Sequence, residues 1–187
     1  MSAGLLLIDI QNDYFSGGLM ELEGMKEAAA RASSLLSAFR EEGLPVIHVQ
    51  HLSTNPDAGF FIPGTIGAEI HPLVMPYPEE IVIEKHFPNS FHNTKLGEEL
   101  AWTGVENLVV CGAMTHMCVD ATTRAARDLG YDCTVVADAC ATCDLEFRGT
   151  QVPARMVQAA FLAAMEVYGE VSDTATILYR LSGIQRG

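Results

Sequence analysis

Residues 109–120 read VVCGAMTHMCVD, and this stretch decides both the fold and the chemistry that the chain can support. An apolar, β-prone run ends at Gly112, and a helix start signal follows with Thr115 as the predicted N-cap. Cys118 is then the third residue of the predicted helix. Because unpaired backbone N–H groups and the helix dipole favour negative charge in a first helical turn, we expect this thiol to ionise easily. Cys118 is therefore a candidate nucleophile.

Strand and helix patterns alternate on both sides of this stretch. Apolar strands are predicted over residues 4–10, 44–50, 81–84, 107–111, 132–137 and 170–171. Helices are predicted over residues 25–42, 94–102, 116–129, 152–166 and 174–181. Because strands that alternate with helices form parallel sheets covered on both faces, we expect an α/β protein with a three-layer αβα architecture. The prediction is a Rossmann-like, six-stranded parallel sheet with order 3-2-1-4-5-6, in a single domain over residues 1–187.

The composition limits the classes of protein to consider. The 187 residues suit one domain, and a formal net charge of −13 disfavours nucleic acid or an anionic membrane surface as a partner. The hydrophobic fraction is 49%, yet no apolar run approaches the roughly 20 residues that span a bilayer. The run LLLI at residues 5–8 is too short for a signal peptide, and the five cysteines are an odd number. We therefore expect a cytoplasmic protein without a disulfide framework.

Reactive side chains lie at the ends of three predicted strands. Asp9 is at the end of the first strand, Lys85 follows the third and Cys118 follows the fourth. In an open parallel sheet, ligands bind beyond the carboxyl ends of the strands, where the strand order reverses. Each residue alone has an ordinary structural explanation as a turn partner, a solvated lysine or a core cysteine. Together they predict a catalytic group in which Cys118 is the nucleophile, Lys85 stabilises its thiolate, and Asp9 accepts and returns the proton.

The sequence places no histidine where it could act as the base. His116 is two residues from Cys118, and side chains at that spacing on a helix do not face each other. His86 and His92 are possible substrate contacts, although surface histidines are the more common case. Backbone N–H groups near Met114 and at Cys118 are predicted to form an oxyanion hole.

The segment 51–80 interrupts the alternation of strands and helices. It is rich in proline and glycine, and its Phe60 and Phe61 look exposed. A loop this long is typical of a lid, and an ordered surface segment or an oligomer contact is an equally good interpretation. We expect the substrate to lie among this loop, the turn 114–118 and several aromatic side chains. The alternative is that these aromatic side chains only pack in the core and do not contact a substrate. The predicted substrate-binding residues are Tyr14, Phe15, Phe60, Phe61, Phe91, Ala113 and Met114.

Several stretches resemble the isochorismatase-like cysteine hydrolase superfamily, which includes nicotinamidases, N-carbamoylsarcosine amidohydrolases and ureide hydrolases. They are LIDIQNDYF at 7–15, GLPVIHVQ at 43–50, Lys85 with NSF at 89–91, GAMTHMCV at 112–119 with TTR at 122–124, and VVADA at 135–139. The resemblance covers almost the whole chain and implies the isochorismatase-like hydrolase fold. It implies a catalytic triad of Asp9, Lys85 and Cys118, and a cis peptide bond between Ala113 and Met114. It also implies a homo-oligomer, either a dimer or a tetramer.

Two departures from members of the superfamily narrow the predicted function. Nicotinamidases carry an Asp/His metal cluster after the second strand, whereas residues 50–56 here read QHLSTNP and only His51 could be a ligand. We therefore expect no metal and no cofactor. True isochorismatases cleave a vinyl ether and lack the nucleophilic cysteine, so Cys118 favours a C–N bond as the target. The predicted activity is hydrolysis of a small amide, ureide or carbamoyl compound through a thioester-type intermediate on Cys118.

Two other functions stay open at this point. Cys140 and Cys143 form a C-x-x-C pair after a predicted strand, which suits a thiol redox protein, although the flanking residues differ from a thioredoxin-like helix start. A zinc ribbon would need a second pair of cysteines. The other alternative is a non-catalytic small-molecule-binding member of the fold, with the triad behind a closed pocket. Dinucleotide binding is not expected, because no G-x-G-x-x-G joins a strand to a helix.

Overall fold

A computed structural model describes residues 3–55 and 57–184 of the chain, and a parallel sheet dominates it. The strands are β1 (Ala3–Ile8), β2 (Val46–His51), β3 (Ile81–Lys85), β4 (Asn107–Ala113), β5 (Asp132–Ala141), β6 (Leu145–Phe147), β7 (Thr150–Val152) and β8 (Glu170–Ser172). The helices are α1 (Met25–Glu41), α2 (Leu96–Thr103), α3 (Asp120–Asp128), α4 (Ala154–Met165) and α5 (Thr174–Ile184). Six strands pair in the order β3-β2-β1-β4-β5-β8, and β6 and β7 form a separate antiparallel hairpin.

The strand order confirms the predicted topology. Strand β8 is the sixth strand of the sheet, so the observed order corresponds to 3-2-1-4-5-6 once the small hairpin is set aside. This hairpin is not predicted from the sequence, because its strands have only three residues each and carry too little pattern to be recognised. As a result Val152 ends β7 instead of beginning a helix, and Pro153 precedes α4 instead of lying in its first turn.

Two apolar cores cover the two faces of the sheet. Because successive side chains of a strand point to opposite faces, Leu5 and Leu7 of β1 join one core while Leu6 and Ile8 join the other. Helices α1 and α5 cover the first core, and α2, α3 and α4 contribute buried residues to the second. The chain therefore forms the predicted three-layer αβα arrangement. Within residues 3–55 and 57–184, no helix is long and apolar enough to cross a membrane.

Gly112 allows β4 to approach β1 closely near the carboxyl ends of the strands, where the reactive residues lie. Its φ is 123°, and a Cβ at this position would lie 2.0 Å from the carbonyl oxygen of Ile8, so a larger residue does not fit. The register between β4 and β5 shifts between Val110 and Gly112. Beyond this irregularity Gly112 pairs with Cys140, and β5 continues past its predicted end at residue 137 as far as Ala141.

The segment 51–80 contacts the chain that follows β1, helix α1 and strand β2, and residue 56 lies outside the described residues. Ile70 of this segment forms a bridge with Gln11, so the segment crosses the end of β1. At its end Glu80 accepts two hydrogen bonds of 2.7 Å from Arg40 of α1 and lies 3.0 Å from His48 Nε2 of β2. These contacts connect the segment to a helix and a strand that are far away in sequence.

The Glu80 cluster makes a testable contribution to stability. Burial alone would raise the pKa of Glu80, but hydrogen bonds from Arg40, the Tyr77 amide and His48 lower it to about 2. Because this pKa lies below the unfolded value of about 4.3, the stabilisation is complete above that value and is lost as the pH falls toward 2. We expect Glu80→Gln to lower the free energy of unfolding by about 2 kcal/mol near neutral pH, measured by urea denaturation.

The control for this prediction is Glu79→Gln, since Glu79 is the exposed neighbour of Glu80. The control variant should unfold like the wild type at every pH. The difference between Glu80→Gln and the wild type should shrink as the pH is lowered. A difference that stays constant from neutral to acid pH would show that the charge of Glu80 does not stabilise the fold.

Candidate active site

Asp9, Lys85 and Cys118 lie together at the carboxyl ends of the strands. Lys85 Nζ is 2.7 Å from Asp9 Oδ2 and 3.1 Å from Cys118 Sγ. The exposed fractions of the three residues are 0%, 1% and 5%, respectively, so the group is closed off from solvent. The structure therefore brings together the three residues that the sequence analysis assigned to one catalytic group.

Three separate elements deliver these side chains to one place. Asp9 directly follows β1 with a φ of 51°, a left-handed conformation that is uncommon outside glycine. The sequence predicts that Lys85 follows the third strand, whereas in the structure it is the last residue of β3. Cys118 lies in a π-helical turn, Thr115–Val119, between β4 and α3. The peptide bond between Ala113 and Met114, immediately before this turn, is cis.

Thr115 does not act as the predicted N-cap. Met114 occupies that position and provides no side-chain hydrogen bond to the turn. The Thr115 hydroxyl instead lies 2.6 Å from Gln158 Oε1 and 3.1 Å from the Ala141 carbonyl oxygen, so it is used in long-range contacts. Cys118 is accordingly the fourth residue of a π-helical turn and not the third residue of an α-helix.

The ionisation of Cys118 also differs from the prediction. Burial raises the pKa of the Cys118 thiol and the negative charge of Asp9 raises it further, whereas the positive charge of Lys85 lowers it. Burial likewise favours a neutral Lys85, but the charges of Asp9 and Cys118 outweigh it and raise the pKa of the ammonium group. The thiol is therefore protonated in the resting site, because the loss of water around the sulfur outweighs the turn geometry. A base has to remove its proton before it can react.

Asp9 is the base that the geometry offers. Both of its carboxylate oxygens are buried, and neither accepts a well-aligned hydrogen bond from the residues that the structure describes. The Lys85 contact is consequently an ion pair, and the carboxylate keeps lone pairs available for a proton.

His51 also contacts Lys85, and this contact is not predicted from the sequence. Lys85 Nζ is 3.1 Å from His51 Nδ1 and 3.2 Å from the Phe87 carbonyl oxygen. Burial, followed by the charge of Lys85, lowers the pKa of His51 to about 4, so the ring is neutral near pH ~7. The contact follows from the register of β2 against β3, which pairs His51 with Lys85 and which no local pattern in the sequence shows.

Asp9, His51 and Cys118 also form a possible metal-ligand cluster. One ligand atom from each lies within 4.8 Å of the others. Lys85 Nζ, however, is within 3.1 Å of an atom from each of the three residues, so its ammonium is the cation that they surround. A metal ion at this place would be repelled by that positive charge. The geometry thus assigns the cluster to Lys85, and the absence of a metal stays a prediction.

Tyr14, Phe60 and Phe61 form an aromatic cluster next to His51. The ring centroids are 4.7 Å apart for Tyr14 and Phe61, 4.8 Å for Phe60 and Phe61, and 5.8 Å for His51 and Phe61. The expectation of an exposed Phe61 is wrong, since its side chain is 1% exposed. The reason is a hydrogen bond of 2.6 Å from the Phe61 amide to Asp13 Oδ2, which draws the segment 51–80 against the end of β1.

Of the remaining predicted substrate contacts, Ala113 and Met114 are buried at the cis peptide bond, and Phe15 and Phe91 each stack on another ring. Phe15 stacks on His71 with ring centroids 3.6 Å apart, and together with Tyr14 these residues line a cavity of about 510 Å³. Phe91 instead stacks on Tyr131 at 6.1 Å. Phe91 also packs against the core cluster that contains Cys118, and its role as a substrate contact stays a prediction.

The other histidines named in the sequence analysis are used elsewhere. His86 Nδ1 is 2.7 Å from the Leu52 carbonyl oxygen, and His116 Nδ1 is 2.5 Å from Thr142 Oγ1. His92 is exposed and packs against Phe87. These are ordinary structural contacts, and a role of His86 and His92 in substrate binding stays a prediction.

The C-x-x-C pair lacks the properties of a redox site. Cys140 lies inside β5, and burial raises the pKa of its thiol to about 12. Burial also raises the pKa of Cys143, and both thiols are free. Reactive redox cysteines have lowered pKa values, so this pair is better explained as structural.

Gln11 and Asp13 are supporting residues that the sequence analysis did not single out. The Gln11 side chain donates to the His51 carbonyl oxygen at 2.8 Å and accepts from the His51 amide at 2.8 Å. It also donates to the Ala68 carbonyl oxygen at 2.8 Å. Both residues are buried in the stretch QNDYF, a few residues after β1, and such buried polar groups need partners.

Comparison with known proteins identifies the family. The model of the Isochorismatase domain matches residues 3–176. The chain belongs to the isochorismatase family. It is 52% identical to the uncharacterized family protein YddQ of Bacillus subtilis (strain 168), over 95% of this chain and 99% of that relative. The solved structure of a family member from Oleispira antarctica has a TM-score of 0.92 and 49% identity, covering 95% of this chain and 96% of that one.

A further relative has a name that states an activity. Streptothricin hydrolase of Streptomyces noursei is 38% identical to this chain, over 75% of this chain and 50% of that relative. The chain spans half the length of that relative, so this relationship supports membership of the family and does not establish an activity for this chain.

The hydrogen bond between the Phe61 amide and Asp13 is predicted to hold the segment 51–80 beside the site. Asp13→Ala removes the acceptor of the Phe61 amide at 2.6 Å and of the Leu19 amide at 3.2 Å. We expect the free energy of unfolding to fall by about 2–3 kcal/mol, and hydrogen exchange at the Phe61 amide to accelerate strongly. The matched control is Asp57→Ala, an exposed carboxylate of the same segment. Unchanged exchange at Phe61 in Asp13→Ala would mean that other contacts hold the segment.

Proposed function

We propose that this chain is a cysteine hydrolase that cleaves a carbon–nitrogen bond of a small amide, ureide or carbamoyl compound through a covalent Cys118 intermediate. The observation that carries the proposal is the position of the Lys85 ammonium, 2.7 Å from Asp9 Oδ2 and 3.1 Å from Cys118 Sγ. A nucleophile, a base and a fixed positive charge are then in contact inside a buried site. This arrangement suits nucleophilic catalysis.

The first half of the reaction forms the covalent intermediate. Asp9 takes the proton of the Cys118 thiol while Sγ attacks the carbonyl carbon of the substrate. The Lys85 ammonium stabilises the thiolate, which is needed because burial disfavours a negative charge on sulfur. Backbone N–H groups near Met114 and at Cys118 are the proposed donors to the oxyanion.

The second half releases the products. The carboxyl group of Asp9 donates its proton to the leaving nitrogen, the C–N bond breaks, and a thioester on Cys118 remains. Asp9 then removes a proton from water, whose oxygen attacks the thioester carbon. Collapse of this second tetrahedral species breaks the C–S bond, and the proton on Asp9 returns to the Cys118 sulfur. The products are an amine or ammonia and an acid, and the resting site is restored.

A non-catalytic small-molecule-binding protein is the second candidate. The observation in its favour is that the site is closed, with Cys118 only 5% exposed. Entry of a substrate requires movement of the side chains that cover the thiol. The two candidates differ in one measurable property, because only a hydrolase turns over a substrate in a manner that depends on Cys118.

The proposal predicts the effects of three substitutions on turnover. A set of small amides, ureides and carbamoyl compounds, with matched esters, is screened for release of amine, ammonia or alcohol. For a substrate found in this way, Cys118→Ala and Asp9→Asn should lower kcat at least roughly 10³-fold, because each removes a group that reacts. Lys85→Ala should lower kcat roughly 10²-fold through loss of thiolate stabilisation.

The matched controls are Cys133→Ala and Lys95→Ala. Cys133 is a buried cysteine at the start of β5, and Lys95 is exposed, so neither change should affect kcat. Full activity in any of the three triad variants would contradict the role assigned to that residue. Turnover of the esters alone would contradict a C–N bond as the target.

Assembly and location stay predictions. Homo-oligomer formation is consistent with several exposed apolar side chains, and sedimentation of the purified protein would test it. The exposed set includes Trp102, Met156, Val167 and Tyr179.

A further inference from the structure

His51 is held rigidly next to Lys85 by its main chain. The side-chain amide of Gln11 pairs with both the N–H and the carbonyl of His51, at 2.8 Å each. The strand register places Lys85 opposite His51 on the neighbouring strand. Gln11 itself is fully buried, so this pairing is shielded from competition by water. The main chain of His51 is therefore fixed beside Lys85, and the contact of Nδ1 with the ammonium positions the ring.

The contact with Lys85 fixes which nitrogen of His51 carries the proton. Lys85 Nζ lies 3.1 Å from His51 Nδ1. An ammonium group has three donors and no acceptor, so Nδ1 has to offer a lone pair. The single proton of the neutral ring must then be on Nε2, and a doubly protonated ring is incompatible with the neighbouring positive charge.

The N–H group at Nε2 has no protein partner. Within residues 3–55 and 57–184, no hydrogen bond involves His51 Nε2, whereas Nδ1 and the main-chain groups are all in contact. The His51 side chain is 21% exposed, in contrast to 0% for Asp9 and Lys85. His51 is thus more accessible to solvent, and so to a ligand, than Asp9 and Lys85.

We propose that His51 is a positioning residue for Lys85 and, through the same contact, a hydrogen-bond donor to the substrate. Its Nδ1 accepts from the ammonium and holds it between Asp9 and Cys118. This acceptance places the only ring proton on Nε2, where it is offered to an uncharged acceptor such as the carbonyl oxygen of an amide or ureide. The substrate part of this inference rests on the proposed function, and the positioning part does not.

The positioning part is tested by the protonation pattern of the ring. Protein labelled with ¹⁵N-histidine is examined by long-range ¹H–¹⁵N correlation near neutral pH, and the His51 signal is assigned by its loss in His51→Asn. We expect a single tautomer protonated at Nε2. Lys85→Met should give a mixture of the two tautomers, because the ammonium that selects one of them is gone. A wild-type ring protonated at Nδ1, or on both nitrogens, would overturn the inference even if Lys85→Met did not fold.

The substrate part is tested by three variants at position 51 with an amide that the wild type turns over. His51→Asn places an acceptor near Nδ1 but has no donor near Nε2, and His51→Gln reaches the Nε2 position with an amide N–H. We expect kcat/KM to fall about three- to tenfold in His51→Asn, through KM, as for loss of one hydrogen bond. His51→Gln should keep a higher kcat/KM than His51→Ala. His92→Asn is the matched control, since His92 is exposed and should leave kcat/KM unchanged.

The outcomes separate this inference from the proposed function. Equal kcat/KM in wild type and His51→Asn, or in His51→Gln and His51→Ala, would overturn the role as a substrate donor while leaving the hydrolase intact. Failure to turn over any amide would overturn the proposed function and the donor role together. The tautomer would still decide whether His51 positions Lys85.

Discussion

The structure of this site depends on one buried cation. Lys85 is 1% exposed, and an ammonium group removed from water is stable only if it is surrounded by groups that accept hydrogen bonds or carry negative charge. Asp9 provides the charge, and the Cys118 sulfur and His51 Nδ1 lie at 3.1 Å. The ammonium therefore connects β1, β2, β3 and the turn after β4, and removal of either Asp9 or Lys85 would leave an unpaired charge in the interior.

The same cation explains the chemistry of Cys118. A thiol in an apolar, buried place stays protonated, and the negative charge of Asp9 strengthens this tendency. Lys85 acts in the opposite direction, so its charge becomes most valuable once the proton has moved to Asp9. In the resting site the Cys118 sulfur is thus protonated and neutral, and the carboxylate of Asp9 lies within 4.8 Å of it. In the proposed mechanism, the nucleophile forms when Asp9 takes the proton during attack on a substrate.

The sequence could predict the parts of the structure that local patterns encode. Continuous apolar strands gave the order of the sheet, and its switch point led to Asp9, Lys85 and Cys118. The incorrect expectations concern features set by contacts between distant residues. The Thr115 hydroxyl contacts Gln158 in place of the turn, and the Phe61 amide binds Asp13, which is 48 positions away. No local pattern shows such contacts.

The expectation of a low pKa for the Cys118 thiol was wrong for a related reason. A position in a first helical turn is visible in sequence, whereas the burial that dominates the ionisation arises only when the segment 51–80 and the strands are assembled. The His51 contact was missed likewise, since it depends on the register between β2 and β3. Pairing registers are set by tertiary structure and not by the pattern of one strand.

The most direct test of the central claim is the rate of Cys118 alkylation as a function of pH, followed by mass spectrometry in the wild type and in Lys85→Met. The account predicts that the wild-type thiol titrates above the ordinary cysteine value of about 8.5, and that Lys85→Met moves the titration to still higher pH. A wild-type thiol that titrates at or below the ordinary value would contradict the account of a protonated resting nucleophile. An unchanged titration in Lys85→Met would contradict the role of the buried cation.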